Sequence, residues 1–191
     1  MKAIFFGTPD FAVPTLNALN EICDVTLVVT REDKKKGRGK KLLPTPVKTR
    51  AEALGIEVYQ PHSCNTEEAL EKLRAQDADL FVVVAYGQIL SEDVLALPKK
   101  HIVNVHSSLL PKYRGAAPMQ WAILNGDEET GVSLMKVEAG LDSGAVYAMK
   151  KTTIGDKNFG AIHDELADFG ADLIREFVTD LEKGTVTFTE Q

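Results

Sequence analysis

Cysteine is scarce in this chain, tryptophan scarcer, and long apolar runs are missing: 191 residues contain two cysteines and one tryptophan. Cys23 and Cys64 form no CxxC pair and have no histidines at metal-ligand intervals, which argues against a disulfide framework and against a zinc site. No segment approaches the roughly 20 consecutive apolar residues of a membrane-spanning helix. The opening run Met1–Phe6 is too short for a secretory signal, and Gly7-Thr8-Pro9-Asp10 flanks it wrongly. A cytoplasmic protein with no membrane partner is therefore expected. An excess of positive charge is also lacking, since the formal net charge is −6, which excludes a cationic coat for indiscriminate nucleic-acid binding. Internal repeats and low-complexity linkers are absent too, so the chain reads as one domain with a single substantial core.

What is present is an alternation of two periodicities. Ala3–Phe6, Val25–Thr30, Leu80–Ala85 and His101–Val105 are rich in Val, Ile and Phe, as strands buried on both faces are. Between them Pro9–Leu19, Pro46–Leu54 and Glu67–Arg74 carry helical composition or spacing. Thr8 is expected to cap the first helix with Pro9 at its first position. A further helix is expected over 119–125, strands near 131–138 and 145–151, and a closing helix over 157–183. In that last helix Leu166, Phe169, Leu173, Phe177 and Leu181 recur at steps of three or four. Strand and helix in turn, joined by right-handed crossovers, give an α/β protein: a Rossmann-like, doubly wound, mostly parallel sheet with helices on both faces.

The opening strand and turn resemble a dinucleotide-binding start, yet the second and third glycines of GxGxxG are missing. A pyrophosphate there would meet Pro9, which has no amide hydrogen, and the anionic Asp10. A tight turn into a helix is the reading retained. The run Lys34-Lys35-Lys36-Gly37-Arg38-Gly39-Lys40-Lys41 puts six positive charges into eight positions with nothing apolar to bury. It reads as a mobile loop, either a solvated one or one that tracks phosphates. Because it follows a strand, it leaves the carboxyl edge of the sheet, where such folds keep their ligand crevice.

Asn104 and His106 are two residues apart on the last of the buried strands, so both side chains project from one face. Asp142 sits in the turn Gly140-Leu141-Asp142-Ser143-Gly144, whose glycines allow close approach. A neutral donor, an imidazole and a carboxylate suit acyl transfer: one steadies a developing oxyanion, one handles a proton, one orients the ring. No serine or cysteine nucleophile is needed if the substrate brings an amine. His62, His101 and His163 have no comparable partner nearby in sequence and read as surface or helix-face residues. Trp121 reads as a packing residue. Val82–Gly87 is a buried strand ending at the same edge as His106, where the following backbone could wrap a flat heterocycle.

These segments resemble the N-terminal, catalytic domain of the methionyl-tRNA formyltransferases. Phe6–Ala12, Gly37–Lys41, Asn104–Pro111 with Arg114–Pro118, and Gly131–Gly144 carry the resemblance, which spans the whole chain. Asn-x-His and Ser-Leu-Leu-Pro are shared with the wider family of 10-formyltetrahydrofolate-dependent formyltransferases. The resemblance implies Asn104, His106 and Asp142 as a catalytic trio and no metal. It implies folate contacts from Ser108, Leu109, Leu110 and Pro111, from Tyr86, Gly87, Gln88, Ile89 and Leu90, and from the stretch near Val137–Leu141. It further implies that Lys35, Arg38, Lys40 and Lys41 touch the acceptor end of an initiator methionyl-tRNA. A monomer is expected, with residues 1–191 forming the catalytic domain and the family's C-terminal tRNA-binding β-barrel absent. Two other readings remain: formyl transfer to a small amine, such as a sugar nucleotide or glycinamide ribonucleotide, and a non-catalytic folate- or RNA-binding module.

Overall fold

The computed structural model describes residues 1–36 and 41–191. A seven-stranded sheet forms its centre. Strand β1 (Lys2–Gly7) lies between β2 (Asp24–Val29) and β6 (Leu80–Val84), and the parallel set is completed by β5 (Val58–Tyr59) and β7 (His101–His106). Strands β8 (Glu129–Lys136) and β9 (Val146–Thr153) extend the sheet beyond β7 in antiparallel fashion. The spatial order is β5-β2-β1-β6-β7-β8-β9.

The alternation along each strand sorts the core into two layers. Ala3 and Phe5, with Val103 and Val105, face the layer formed by α1 (Val13–Ile22), α2 (Pro46–Ala53), α5 (Pro118–Leu124) and α6 (Phe159–Lys183). Ile4, Phe6 and Ile102 face the other layer, with α3 (Glu67–Ala75) and α4 (Glu92–Leu95). The expected doubly wound arrangement is thus present. Side-chain oxygens of Thr45, Thr66 and Asn158 accept from Lys48, Ala69 and Ala161 amides and fix the starts of α2, α3 and α6. Leu166, Leu173 and Phe177 are buried, and Phe169 and Leu181 pack against the same cluster. No helix among the described residues is long and apolar enough to cross a membrane.

Several local expectations are corrected. Thr8 caps no helix: its hydroxyl donates to the Tyr86 carbonyl at 2.9 Å, tying the end of β1 to the turn after β6. Pro9 instead precedes a short 3-10 turn, Asp10–Ala12, and α1 begins only at Val13. The flanks of the basic segment are not loop: β3 (Lys34–Lys36) and β4 (Lys41–Leu43) pair antiparallel as a ribbon outside the main sheet. Trp121 is 51 % exposed and packs little.

Candidate active site

The parallel strands β1, β2, β6 and β7 all end at one edge of the sheet, and the segments that follow β1, β6 and β7, together with the loop after β8 and the start of α6, line a cleft of about 1030 Å³. Its floor includes Val83 of β6 and Asn104 and His106 of β7. Because Val103 and Val105 belong to the α1 and α6 layer, Asn104 and His106 project from the opposite face, as their spacing of two requires. Asn104 is half-buried and His106 is 7 % exposed. The loop after β8 folds back along that face and brings Asp142 to the imidazole.

The carboxylate and the ring are neighbours without a direct hydrogen bond. His106 Nδ1 lies 3.6 Å from Asp142 Oδ2, an ion-pair separation too long for a hydrogen bond. That oxygen instead accepts from the Gly115 amide at 2.8 Å. On the far side of the ring, Nε2 donates to the Tyr113 carbonyl at 2.9 Å. Both ring nitrogens therefore face oxygen atoms, Nε2 through a hydrogen bond and Nδ1 across the longer separation. Backbone in the left-handed region gathers around this point. Non-glycine residues Ala85, Tyr113, Ala117 and Asp142 have φ of 47°, 56°, 57° and 46°, and all but Tyr113 line the cleft. Such conformations cost of order 1–3 kcal/mol each and persist where the surroundings hold them.

The expected heterocycle-binding stretches divide. Tyr86, Gly87, Gln88, Ile89 and Leu90 line the cleft, as does the stretch Val137–Leu141. Tyr86 is buried with its hydroxyl 2.8 Å from Cys64 Sγ, and burial pushes both groups upward from their ordinary pKa. The Gln88 amide is spent on backbone: it accepts from Cys64 N and donates to the His62 carbonyl. By contrast Ser108, Leu109, Leu110 and Pro111 do not line the cleft. Ser108 is buried, its hydroxyl donating to the Lys112 carbonyl and its own carbonyl accepting from Ser133 Oγ, so it shapes the turn. Leu110 packs with Met135 and Val146. Lys35 and Lys41 are exposed on β3 and β4, whereas Arg38 and Lys40 lie outside the described residues.

Three contributors escaped the sequence reading. Tyr113 supplies a carbonyl and Gly115 an amide, neither of which a side-chain motif reveals. His163 does not sit on an idle helix face: it lines the cleft, 2.9 Å from Asp164 and 3.4 Å from Asp10, with its ring against Phe11 and Phe159. The Asp10 pairing comes from the opposite end of the chain, so no local pattern announces it. Of the remaining histidines, His62 is on the surface and His101 packs against Phe177 and Phe188.

Known proteins share this architecture. The phosphoribosylglycinamide formyltransferase of Streptococcus pneumoniae superposes with a TM-score of 0.76 over 94% of this chain and 97% of that one, at 22% identity. The N-formyltransferase of Helicobacter canadensis, solved with folinic acid and dTDP-3-aminofucose, gives 0.72 over 100% and 67% at 20% identity. At those identities the likeness is one of fold. In sequence, the methionyl-tRNA formyltransferase of a Synechocystis strain is 53% identical over 188 residues, covering 96% of this chain and 57% of that protein. The methionyl-tRNA formyltransferase of Geobacter metallireducens is 46% identical, covering 100% and 62%. The chain thus spans about three fifths of the length of the curated relatives it matches. The family model described as formyl transferase matches residues 1–178, the stretch that supplies every wall of the cleft, and the chain belongs to the formyl transferase family.

Proposed function

We propose that this chain transfers the formyl group of 10-formyltetrahydrofolate to the α-amine of an initiator methionyl-tRNA. One observation carries the chemistry: a neutral amide donor, an imidazole and a carboxylate meet at the floor of a single cleft at the carboxyl edge of the sheet. The choice of acceptor is supported by relatives of 46–53% identity that bear the methionyl-tRNA name. The cleft's size and its backbone-lined wall at Tyr86–Leu90 suit a flat heterocyclic co-substrate.

In the reaction the neutral amine attacks the formyl carbon, a C–N bond forms, and the carbonyl oxygen becomes an oxyanion. Asn104 donates to that oxygen through its side-chain amide, and the His106 imidazolium adds charge from the same face. Asp142 balances the imidazolium across 3.6 Å while the Tyr113 carbonyl fixes the ring's other end. The bond to the folate nitrogen then breaks, and the proton lost by the attacking amine ends on that nitrogen, so no external acid is consumed. Lys35, Arg38, Lys40 and Lys41 give the acceptor end of the tRNA its phosphate contacts. The protein acts as a cytoplasmic monomer in this reading.

Incubating the chain with 10-formyltetrahydrofolate and either methionyl-tRNA or small amines tests it. Formyl-methionyl-tRNA together with an equal amount of tetrahydrofolate is the expected product. Transfer confined to sugar or glycinamide amines would refute the choice of acceptor.

A further inference from the structure

Beyond the stretch matched by the family model, the chain makes a second approach to the active site. Gly184, at φ 70°, closes α6, and Thr185 N donates to the Asp180 carbonyl as the chain turns back. The returning segment is anchored twice. Thr189 and Val146 exchange both backbone hydrogen bonds at 2.8 Å, against the edge strand β9. Phe188 packs against the rings of His101, Tyr147 and Phe177, with Lys136 Nζ 4.5 Å above its face.

That anchorage delivers Gln191 to the two loops that build the carboxylate site. Its Nε2 donates to the Asp142 carbonyl at 2.9 Å and to the Gly144 carbonyl at 2.8 Å, while its Oε1 accepts from Arg114 Nε at 2.9 Å. One amide therefore joins the Gly140–Gly144 turn to the turn that contains Gly115. Asp142 is thus held at both ends, its carboxylate by Gly115 N and its carbonyl by Gln191. The need is physical: Asp142 has φ 46°, a conformation that a non-glycine residue keeps only under external restraint.

We propose that Gln191 is a positioning residue for formyl transfer, fixing the left-handed turn at Asp142 so that its carboxylate stays opposite His106. The proposal rests on the formyl-transfer reading for its kinetic consequence and on geometry alone for the restraint. Gln191 touches no reacting atom and acts through Asp142.

Gln191→Ala and Gln191→Glu separate this from simple anchoring of the segment that follows α6. The glutamate keeps an acceptor for Arg114 but loses both donors. Amide hydrogen exchange read by NMR reports two places: Gly115, whose N–H is held by Asp142, and Val146, whose N–H is held by Thr189. In both variants Gly115 should exchange faster by about tenfold while Val146 changes by less than about twofold. Turnover should fall by about tenfold with KM for folate unchanged within about twofold, the mark of a displaced orienting group. Unchanged exchange at Gly115 overturns the proposal. Equal acceleration at Val146 also overturns it, because Gln191 would then only fasten the returning segment. Wild-type turnover in Gln191→Glu would show that the Arg114 contact suffices and would overturn it as well. If the wild type transfers no formyl group, the formyl-transfer reading falls with its kinetic consequence, and Gly115 exchange still decides whether Gln191 restrains Asp142.

Discussion

Replacing Asn104 with alanine removes an amide donor from the floor of the cleft and leaves its strand intact. Asn104 lies in the middle of the β7 ladder, opposite Val83 on one side and Met135 on the other, so its backbone is held by both neighbours. Its side chain is half-buried and faces the cleft, where water fills the space it vacates, so the structural cost should stay near about 1 kcal/mol. For a chain of this size that lowers Tm by about 2–4 °C. The chemical cost is larger. A single well-aimed donor to an oxyanion contributes about 3–4 kcal/mol, which corresponds to a loss of turnover of about a hundredfold or more. Since the developing charge exists only in the transition state, kcat should carry the loss and KM for folate should move little. Single-turnover formation of formyl-methionyl-tRNA, with circular dichroism confirming the fold, separates the two costs. A folded Asn104→Ala enzyme within about threefold of wild type would refute the role of this amide.

Three further outcomes follow from particular contacts. Lys35→Ala with Lys41→Ala should weaken methionyl-tRNA binding by about three- to tenfold and flatten the dependence of log K on log salt by about 1–2, and a salt slope equal to wild type would remove the ribbon from the RNA contact. Gly170→Ala should destabilise by about 1–3 kcal/mol, since the added Cβ would meet Val105 Cγ1 at 2.8 Å and Thr15 Oγ1 at 3.1 Å where α6 packs on β7. A rise in Tm would mean that helix propensity alone decides that site. His101 is held below its ordinary pKa of 6.5, first by burial and then by Lys136 and Lys100, so the fold prefers the neutral ring. Its contribution is intact above pH 6.5 and is lost as pH falls through the lowered folded value, because the unfolded chain takes the proton first. His101→Leu should therefore lose less Tm than wild type between pH 7.5 and 5, and parallel curves would contradict the assignment.

Most of the parallel part of the fold could be read directly because its longer strands β1, β2, β6 and β7 are largely buried. Ala3–Phe6 and Leu80–Ala85 are Val- and Phe-rich without alternation, and they occupy the centre of the sheet. The two-residue β5 and the four-residue α4 escaped for the opposite reason, being too short to display a period. The ribbon of β3 and β4 was hidden by its charge: Lys34–Lys36 has no apolar face, and its pairing partner is Lys41–Leu43 rather than the main sheet. Thr8 shows a cap residue drawn away by a tertiary partner, since its hydroxyl reaches the Tyr86 carbonyl across 78 positions of sequence.

At the site, legibility follows the same division between local period and distant contact. The spacing of two between Asn104 and His106 fixes a shared face once β7 is known to be a strand, and the glycines around Asp142 announce a tight approach. What they cannot announce is the restraint on that approach. Asp142 is held by Gly115 from 27 positions away and by Gln191 from 49, through a backbone amide in one case and to a backbone carbonyl in the other. The same geometry shows what sequence adjacency to His106 leaves open at Ser108–Pro111: their hydrogen bonds turn inward to Lys112 and Ser133 and build the turn. Asn104 and His106 thus sit on a regular strand that sequence period reveals, whereas the carboxylate of Asp142 that faces the ring is placed by irregular backbone. Substitutions on β7 should accordingly alter the chemistry itself, and substitutions at Gly115 or Gln191 should alter how often the correct arrangement is populated.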